Sequence, residues 1–548
     1  MEKHHSESNL FYSAVDFCRN NIKQLEIGVF LLLLVGFFYL AAQKIGFYPE
    51  PWKDEAWLMQ PAYEVLKDGR MAMPMFRHRG ASIGELVLTD PVFTYLLAGW
   101  FKLFGFGMTQ ARLFNLTLSL GVLLLVFWIG QEWGKKGSFV GVVAVLLLVF
   151  DNNYFTSSRF LRNDFASLFF SLTSVAFYLL AKKRDKEQLY WLLSGFCAAM
   201  SMLSHLNGAH IAVLLGFWLL IDYGVRAIWS RQAWLVAAGF SLLMLPYSLY
   251  CYYKRDIYIA QWRLFTPGRE KGLTWEGLQL NFMGESKRYN NWQYGVMFQT
   301  ENHAVTVFYY LTIAALLLLL AVAIYKLYKK ESLSPYGHLL VVLIWPPLFF
   351  ATEVTNKTHA YLPHLTTWFA LAVGMLFYLT IAWLISTWKV THLAKLLRVA
   401  VAVLTLSVSF YYLNSALILV LKYRKYVVRL QPDNINRMAT IFSQLVSNDL
   451  VPVASAKHWY LFYQREDFRA FSRPLTKQIL KGEFAQEQYL VITGKRERRK
   501  FLEIADKTAN PARKYSLIAE ISDTPYGTLW IYYVGNDSKY LSTPTRNY

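Results

Sequence analysis

The sequence predicts a polytopic α-helical membrane protein that ends in a small α/β domain. Hydrophobic residues make up 55% of its 548 residues and charged residues 17%, whereas about 25% are charged in soluble domains. Apolar runs of roughly 18–25 residues recur up to about residue 420, and each is long enough to cross a hydrocarbon layer of about 30 Å as a helix. We therefore predict a membrane domain over 1–424 and a water-exposed α/β domain over 425–548.

The apolar runs predict about eleven membrane-spanning helices. A further apolar run, 91–107, is short and interrupted by Lys102, so it is predicted to lie in the membrane interface. The predicted spans are 25–46, 112–131, 138–155, 164–181, 189–204, 208–226, 233–252, 304–326, 337–353, 363–386 and 396–420.

The distribution of Lys and Arg predicts the orientation of the chain. With a cytoplasmic N-terminus, the inner short loops carry fourteen basic residues, whereas the opposing short loops carry three. Because short cytoplasmic loops are enriched in Lys and Arg, we expect a multi-pass protein of the plasma (inner) membrane. The long loops 47–111 and 253–303 and the C-terminal domain would then face the outside, which is the periplasm in a two-membrane cell.

The C-terminal segment has the alternating pattern of a small α/β domain. "VPVAS" and "QYLVIT" have the composition of strands, and "PLTKQILKGEF" and "RERRKFLEIADK" have helical spacing. "YSLIAEISDTPYGTLWIYYVG" contains two apolar runs around a Pro-Tyr-Gly turn, which is typical of a β-hairpin. These patterns predict a mixed fold over about 120 residues, within the usual size of a domain.

The formal charge of +20 does not indicate a nucleic-acid partner, because the topology rule accounts for much of the basic excess. Three outer stretches are nevertheless basic: "CYYKRD", "GESKRYNN" and "GKRERRK". Each is either a solvated surface or a contact for membrane lipid head groups and other phosphates. The three cysteines indicate neither a disulfide framework nor a metal site.

Charged residues gather at the predicted outer ends of the spans. Asp54 and Glu55 follow the first span in "FYPEPWKDEAWLMQP". The second outer loop, "DNNYFTSSRFLRND", contains Asp151, Arg159, Arg162 and Asp164, and the loop "EVTNKTHAYLPH" contains Lys357, His359 and Tyr361. Charges at membrane depth are costly, so they are usually paired or functional. For the second outer loop, the alternative to a functional role is that its charged residues pair with one another and cap a helix end.

Such a collection of groups suits the transfer of a group from a lipid phosphate. A carboxylate can take the proton of an acceptor hydroxyl or amine. Arg and Lys can stabilise the negative charge that builds up on a departing phosphate. The acids and bases would meet on one membrane face while the spans themselves stay apolar.

The chain resembles the GT-C membrane glycosyltransferases, above all the protein O-mannosyltransferases and the aminoarabinose transferases that modify lipid A. Three segments carry the resemblance: Asp54-Glu55 with "YEVLKDGRMAMPMF", then "DNNYFTSSRFLRND", and "NKTHAYLPHLTTWFALAVG". It implies a GT-C fold and an inverting transferase that uses a polyprenyl-phosphate-linked sugar, hexose or pentose, at the outer face. The acceptor would be a glycan, a lipid or a protein.

The resemblance also implies roles for individual residues. Asp54 would be the catalytic base, and Glu55 would orient the acceptor or the sugar. Arg159 would hold the lipid phosphate, Asp164 would position Arg159 or bind the sugar, and Lys357 would add positive charge. Further donor-site candidates are Arg162, Tyr361 and His359.

The sequence departs from these relatives in two places near the site. Asp90 precedes Pro91 where the aminoarabinose transferases have a Lys, and His205 stands where relatives often have a Lys. Together with Asp151, these two residues are candidates for contacts with the acceptor. The extra loop domains of the protein mannosyltransferases are absent, so the acceptor is not inferred to be a protein.

No spacing predicts a strong metal site, and the need for a divalent ion is left open. The sequence leaves two alternative functions. A transporter or lipid-carrier flippase would carry polar or broken helices near the midplane, and a receptor would need far fewer spans. Charges on one face of mostly continuous spans favour the enzyme.

Overall fold

The fold is taken from a computed structural model. It describes residues 3–46, 49, 51–79, 84–88, 90–134, 139–183, 187–265, 274–288, 303–353, 361–386, 407, 410–411, 414, 417–418, 421, 440–442, 449–465, 467–481, 483, 487–508, 514–522, 528–536 and 546–547.

Fifteen α-helices are described before the C-terminal domain. Short 3₁₀-helices occur at Pro74–Arg79, Leu206–Ala209 and Gly224–Trp229. The α-helices are α1 (Lys3–Ala42), α2 (Lys53–Asp68), α3 (Pro91–Phe104), α4 (Met108–Trp133), α5 (Val140–Val149), α6 (Asn152–Ser158), α7 (Asn163–Ala181), α8 (Glu187–Ser204), α9 (His210–Tyr223), α10 (Arg231–Tyr253), α11 (Arg255–Phe265), α12 (Trp275–Met283), α13 (His303–Tyr328), α14 (Tyr336–Thr352) and α15 (Pro363–Ser386).

The described helices confirm a multi-pass membrane protein. Seven helical segments in the described part of the chain are long and apolar enough to cross a membrane: Asn21–Ala42, Met108–Trp133, Asn163–Ala181, Leu206–Trp229, Arg231–Tyr253, Val307–Tyr328 and Pro363–Trp383. Helices α8 and α14 occupy two more predicted spans, and α14 is a shorter apolar helix of 17 residues. The predicted span 396–420 lies almost wholly outside the described residues, so the number of eleven crossings stays a prediction. The interfacial position of α3 also stays a prediction.

The predicted span 138–155 is not one straight helix. It consists of α5 and α6, which are bent by 72° relative to each other. The bend follows from Asp151, whose carboxylate accepts a hydrogen bond of 2.9 Å from the backbone of Asn153 and so begins a new helix. The polar run after α5 therefore turns the chain toward α7.

Small and hydroxyl residues hold α7, α8 and α10 close together. Ser201 on α8 forms hydrogen bonds with Ser167 and Ser171 on α7. A Cβ atom at Gly195 would lie 1.9 Å from the carbonyl oxygen of Val236, and one at Gly239 would lie 2.0 Å from that of Leu192. Such close approach between backbones is typical of helix packing in membranes, where small residues form the interface.

The described part of the C-terminal domain contains a mixed six-stranded sheet and two α-helices. The elements are β1 (Leu450–Ala454), β2 (Arg469–Ala470), α16 (Arg473–Leu480), β3 (Gln488–Thr493), α17 (Lys495–Lys507), β4 (Lys514–Ile521), β5 (Leu529–Gly535) and β6 (Arg546–Asn547). The strand order is β2-β1-β3-β5-β4-β6. β3 and β5 pair in antiparallel register, as do β4 and β5, which form the predicted hairpin. The strands and helices predicted for 450–535 are thus present, whereas the domain boundary at 424/425 stays a prediction.

The two faces of this sheet contact different parts of the molecule. Leu490, Ile492 and Ile531 point to one face and share a hydrophobic core with α2, the 74–79 segment and α3. Val491 and Tyr532 point to the other face, which α16 and α17 cover. The helix α2 and the C-terminal domain are therefore packed as one body through a common core.

The close approach of α8 and α10 predicts that these glycines are sensitive to substitution. Gly195→Ala or Gly239→Ala should destabilise the protein by about 1–3 kcal/mol, because the added methyl group must push backbone apart. Thermal unfolding in detergent measures the effect. Gly216→Ala on α9 is the control, since a Cβ atom there meets nothing within 4 Å. Equal melting temperatures for all three variants would contradict the packing.

Candidate functional site

The site is built around the first turn of α2. Trp52 has extended backbone, and its N–H donates a hydrogen bond of 2.9 Å to the Glu55 carboxylate, so the helix begins at Lys53. Acidic residues are favoured in the first turn because they face the positive end of the helix dipole. Asp54 and Glu55 therefore both stabilise the start of α2, but their surroundings differ.

Glu55 forms a fully buried ion pair with Arg112 on α4. Both side chains have no exposed surface, and Arg112 Nε and Nη2 each donate to the carboxylate at 2.8 Å. The same carboxylate accepts from the backbone of Leu161 at 2.9 Å. Arg112 Nη1 donates to the carbonyls of Ile45 and Pro49. The pair thus joins the end of the first span, α2, α4 and the segment before α7.

Asp54 is the more accessible carboxylate of the two. Its side chain is 33% exposed, and Oδ2 lies 3.6 Å from Arg162 Nη1. Arg162 is buried and forms a second, closer ion pair, 2.6 Å from Nε to Asp164 Oδ2. Its guanidinium lies 5.1 Å from the centre of the Trp52 ring and 5.6 Å from that of Tyr361. One arginine therefore contacts all three of the segments predicted to form the site.

A buried amide fixes the backbone that presents Arg162. Asn115 on α4 donates to the carbonyls of Ser157 and Ser158 at the end of α6, and its oxygen accepts from the N–H of Arg162 at 3.3 Å. Asn115 is fully buried within an apolar helix, where a polar group must be satisfied. It therefore ties the 157–162 turn to the second span.

Burial and neighbouring charges shift the pKa values of Asp54 and Arg162. Burial raises the pKa of Asp54 above the usual range, and the charges of Arg162 and Lys53 only partly oppose this. Burial acts to lower the pKa of Arg162, but the Asp164 carboxylate and then Tyr361 and Asp54 outweigh it, so the pKa is raised. Asp54 is thus a comparatively basic carboxylate beside a permanent cation.

Asp164 and Tyr361 extend the cluster toward the later helices. Asp164 Oδ1 lies 3.4 Å from His364 Nε2 at the start of α15. The Tyr361 ring lies 5.8 Å from the ring of His205 and 5.8 Å from the guanidinium of Arg288. The structure therefore brings together Asp54, Arg162, Asp164, Tyr361 and His205 from four separate segments.

Arg288 brings the second long loop to this site. Its side chain is fully buried, Nε lies 2.7 Å from Glu285 Oε1, and Nη2 donates to the carbonyl of Phe350. The sequence predicts that "GESKRYNN" is either a solvated surface or a contact for phosphates. Because Arg288 is buried, the solvated alternative is wrong for this residue. Its pairing with Glu285 three residues earlier was the signal that could have indicated burial.

Asp90 lies on the border between the cluster and a cavity of about 440 Å³. Asp90 Oδ2 accepts a hydrogen bond of 2.5 Å from Asn163 Nδ2. Asn163 lies between Arg162 and Asp164 in the chain, so this bond connects Asp90 to the cluster. The cavity lies among α3, α8, α10 and α11 and is lined mainly by apolar and aromatic side chains such as Met244, Tyr247 and Trp262. His205 caps the short helix Leu206–Ala209 nearby.

Arg159 and Asp151 have structural bonds that the resemblance did not anticipate. The fully buried Arg159 donates from Nη1 and Nη2 to the carbonyls of Leu40, Ala41 and Gln43, at the end of the first span. Cations are favoured at this end of a helix. Asp151 caps α6. The geometry therefore favours Arg162, not Arg159, as the cation that faces Asp54.

Two predicted site residues, Lys357 and His359, lie outside the described residues. Among the described residues, no group of three or more His, Cys, Asp or Glu side chains is arranged to hold a metal ion. The roles of Lys357 and His359 therefore stay predictions, and the need for a metal ion stays open.

Comparisons with known proteins bear on the fold that carries these residues. A sequence profile of the family described as dolichyl-phosphate-mannose-protein mannosyltransferase matches residues 66–265. That range includes Asp90, Arg162 and Asp164 but begins after Asp54. No curated protein matches the chain.

Solved structures match over nearly the whole length. ArnT from Cupriavidus metallidurans in the apo state is 12% identical, with a TM-score of 0.56 over 91% of this chain and 97% of that chain. The chain has the GT-C fold. ArnT bound to undecaprenyl phosphate is 14% identical, with a TM-score of 0.54 over 94% and 99% of the two chains.

A GT-C protein of another class is similar as well. The archaeal oligosaccharyltransferase AglB from Archaeoglobus fulgidus, in complex with an inhibitory peptide and a dolichol-phosphate, is 13% identical. The match has a TM-score of 0.54 and covers 86% of this chain and 70% of that chain. The GT-C resemblance predicted from the sequence is thus confirmed at the level of the fold.

The buried Glu55–Arg112 pair predicts a large loss of stability when one partner is removed. Arg112→Met should destabilise the protein by about 3–5 kcal/mol, because it leaves the Glu55 carboxylate buried without its cation. Thermal unfolding in detergent measures the change. The double variant Glu55→Gln with Arg112→Met should recover part of the loss. A double variant that is less stable than Arg112→Met alone would contradict a specific pairing of the two charges.

Proposed function

We propose that this protein is an inverting glycosyltransferase that moves a sugar from a polyprenyl-phosphate-linked donor to an acceptor at the outer face of the membrane. The observation that carries the proposal is Asp54, a partly exposed carboxylate 3.6 Å from the buried Arg162 in a GT-C fold. The undecaprenyl phosphate of the ArnT structure and the dolichol-phosphate of the AglB structure support this class of lipid carrier.

Asp54 is the catalytic base in this proposal. It has exposed surface from which to reach an acceptor, and its raised pKa makes it a better proton acceptor than an ordinary aspartate. Glu55 cannot share this task, because Arg112 and two backbone N–H groups take up its buried carboxylate. Glu55 is instead a positioning residue that fixes the first turn of α2.

Arg162 stabilises the leaving phosphate in this proposal. The arginine is held by Asp164 and lies against Trp52 and Tyr361, so it is ordered before substrate arrives. A preorganised cation in a site that excludes water is the arrangement that most lowers the energy of a transition state with growing negative charge. Asp164 orients Arg162, whereas the family resemblance implies that it positions Arg159. Lys357 remains a candidate for a second cation.

The proposed reaction has one chemical step. The acceptor hydroxyl or amine transfers its proton to Asp54 while its oxygen or nitrogen bonds to the anomeric carbon of the sugar. The bond between that carbon and the phosphate oxygen breaks, and the polyprenyl phosphate leaves with the bonding electrons beside Arg162. Attack from the side opposite the phosphate inverts the anomeric configuration. Asp90 and His205 border the same region and are proposed to contact the acceptor or the sugar.

The role of Asp54 predicts the effect of removing its charge. Asp54→Asn should lower sugar transfer by about 100- to 10 000-fold, the usual contribution of a general base. The fold should be kept, because among the described residues the ion pair of Asp54 is the 3.6 Å contact with Arg162. Transfer from a radiolabelled polyprenyl-phosphate sugar to endogenous membrane acceptors measures the rate.

The matched control for Asp54 is Asp68→Asn, which removes an exposed carboxylate from the last turn of the same helix. It should transfer sugar at the normal rate. Normal transfer by Asp54→Asn would overturn the assignment of the base, and flux of the lipid carrier without any sugar transfer would favour a flippase.

The raised pKa of Asp54 predicts the pH dependence of the reaction. The base works when deprotonated, so transfer should fall as the pH drops through the pKa of Asp54, and this acid limb should lie above the pKa of an ordinary aspartate. Arg162→Gln removes the positive charge that lowers the pKa of Asp54. The acid limb of this variant's remaining activity should therefore lie at higher pH than that of the unmodified protein. A profile of kcat/KM against pH tests this, and an unmoved limb in Arg162→Gln would contradict it.

A further inference from the structure

A fully buried histidine, His364, faces the carboxylate oxygen of Asp164 that does not contact Arg162. His364 Nε2 lies 3.4 Å from Asp164 Oδ1. The other oxygen, Oδ2, accepts the 2.6 Å hydrogen bond from Arg162 Nε. Because an ionised carboxylate can only accept hydrogen bonds, the His364 nitrogen that faces it must carry a proton. His364 and Arg162 are therefore two donors on opposite oxygens of one buried acid.

Residues from three helices surround the His364 ring. His364 lies at the start of α15, and its ring centre is 5.4 Å from that of Phe350 on α14. The His210 ring, at the start of α9, stands almost perpendicular to it at 5.8 Å. His210 is itself fixed, because its Nδ1 donates to the carbonyl of Asn207 at 2.7 Å. Close packing on two sides restricts rotation of the His364 ring away from Asp164.

Packing alone does not explain a histidine at this position. In the described part of the chain, neither ring nitrogen of His364 has a hydrogen bond of normal geometry, and 3.4 Å is long for such a bond. An apolar side chain would fill the space at lower cost, since a buried polar ring without hydrogen bonds is unfavourable. Hydrogen bonds of catalytic sites are often long before substrate binds and shorten in the complex. The long contact therefore favours a role in the reaction.

Arg162 keeps one donor available for an anion. Its Nη1 is buried, has no hydrogen bond among the described residues and lies 3.6 Å from Asp54 Oδ2. The guanidinium can donate from Nη1 to a phosphate without giving up the bond from Nε to Asp164. As a phosphate draws on the charge of Arg162, less of that charge stabilises Asp164. A second donor to Asp164 then matters more, and His364 Nε2 is placed to supply it.

We propose that His364 is a positioning residue for sugar transfer. It holds Asp164, Asp164 holds Arg162, and Arg162 Nη1 thereby stays turned toward the space beside Asp54 where the phosphate leaves. The proposal rests on the proposed glycosyltransferase function. His364 does not touch substrate, and it acts through Asp164 and Arg162.

The test uses the full-length protein in detergent and undecaprenyl phosphate as the probe for the leaving phosphate, with binding measured by native mass spectrometry. His364→Met should weaken binding about 10- to 100-fold, the range for a hydrogen bond to a charged group. His364→Gln should keep most of the affinity, because its amide nitrogen can donate from near the position of Nε2. In the Arg162→Gln background, His364→Met should cause no further weakening, because its effect passes through Arg162.

The matched control is His338→Met. His338 is also fully buried beside an acid, with Nε2 3.2 Å from Asp222 Oδ1, but it lies at the opposite end of α14 from Phe350. This variant removes a buried imidazole without changing the site. It should bind undecaprenyl phosphate as the unmodified protein does.

Transfer kinetics separate positioning from packing. With a radiolabelled polyprenyl-phosphate sugar, His364→Met should lower kcat and leave the KM for this donor nearly unchanged. The leaving phosphate carries more negative charge than the phosphodiester of the donor, so Arg162 is needed most as the bond breaks. A packing role would lower the melting temperature without this split between kcat and KM.

Three results would overturn the positioning role. One is normal binding by His364→Met. Another is equal weakening by His338→Met, since any lost buried imidazole would then have the same effect. The third is additive weakening in the double variant, since His364 would then act independently of Arg162.

The two proposals can fail separately. Coupling of His364 to Arg162 in the binding of undecaprenyl phosphate, by a protein that transfers no sugar, would overturn the proposed function and leave a phosphate site positioned by His364. Transfer that is lost in Asp54→Asn but normal in His364→Met would overturn the positioning role and leave the proposed function.

Discussion

The buried ion pair between Glu55 and Arg112 is the constraint on which the site depends. Burying two charges is costly unless each is fully hydrogen-bonded, and here the carboxylate and the guanidinium are both bonded to several partners. These partners belong to three stretches that are distant in sequence: residues 45–55, Arg112 and Leu161. Once the pair forms, the start of α2 has one position relative to α4 and the 157–162 turn, and that position places Asp54 beside Arg162.

The adjacent carboxylates of Asp54 and Glu55 thus differ in exposure and in ion pairing, because their surroundings differ. Glu55 is enclosed and neutralised by a dedicated arginine, whereas Asp54 keeps exposed surface and shares Arg162 with Asp164. Since Asp164 is much closer to Arg162 than Asp54 is, the arginine cannot fully compensate the burial of Asp54, and the pKa of Asp54 stays raised. Different environments for neighbouring acids are a common way to separate a structural from a chemical role.

The sequence predicted the membrane class, the strands and helices of 450–535, and most members of the cluster, because apolar length, alternation and charges at span ends are local signals. The resemblance gave the phosphate-holding role to Arg159, whereas the geometry favours Arg162. The two differ by three positions, and only the turn held by Asn115 determines which faces Asp54 and which caps the first span. Arg112 was missed for a similar reason, since Glu55 becomes its neighbour only when distant segments meet. Arg288 was missed although its partner Glu285 lies only three positions earlier. An arginine at the start of an apolar span, such as Arg112, was nevertheless a signal that a buried acceptor group lies nearby.

The helix α2 links the candidate site to the C-terminal domain. Its first turn bears Asp54, and farther along Tyr63 packs against Trp459 and Tyr463 of the C-terminal domain, with ring centres 6.2 and 5.3 Å apart. The same core continues through the sheet whose opposite face is covered by α16 and α17. A close-packed core transmits position with little give, so a shift of the C-terminal sheet would be passed on to α2 and to Asp54 in its first turn.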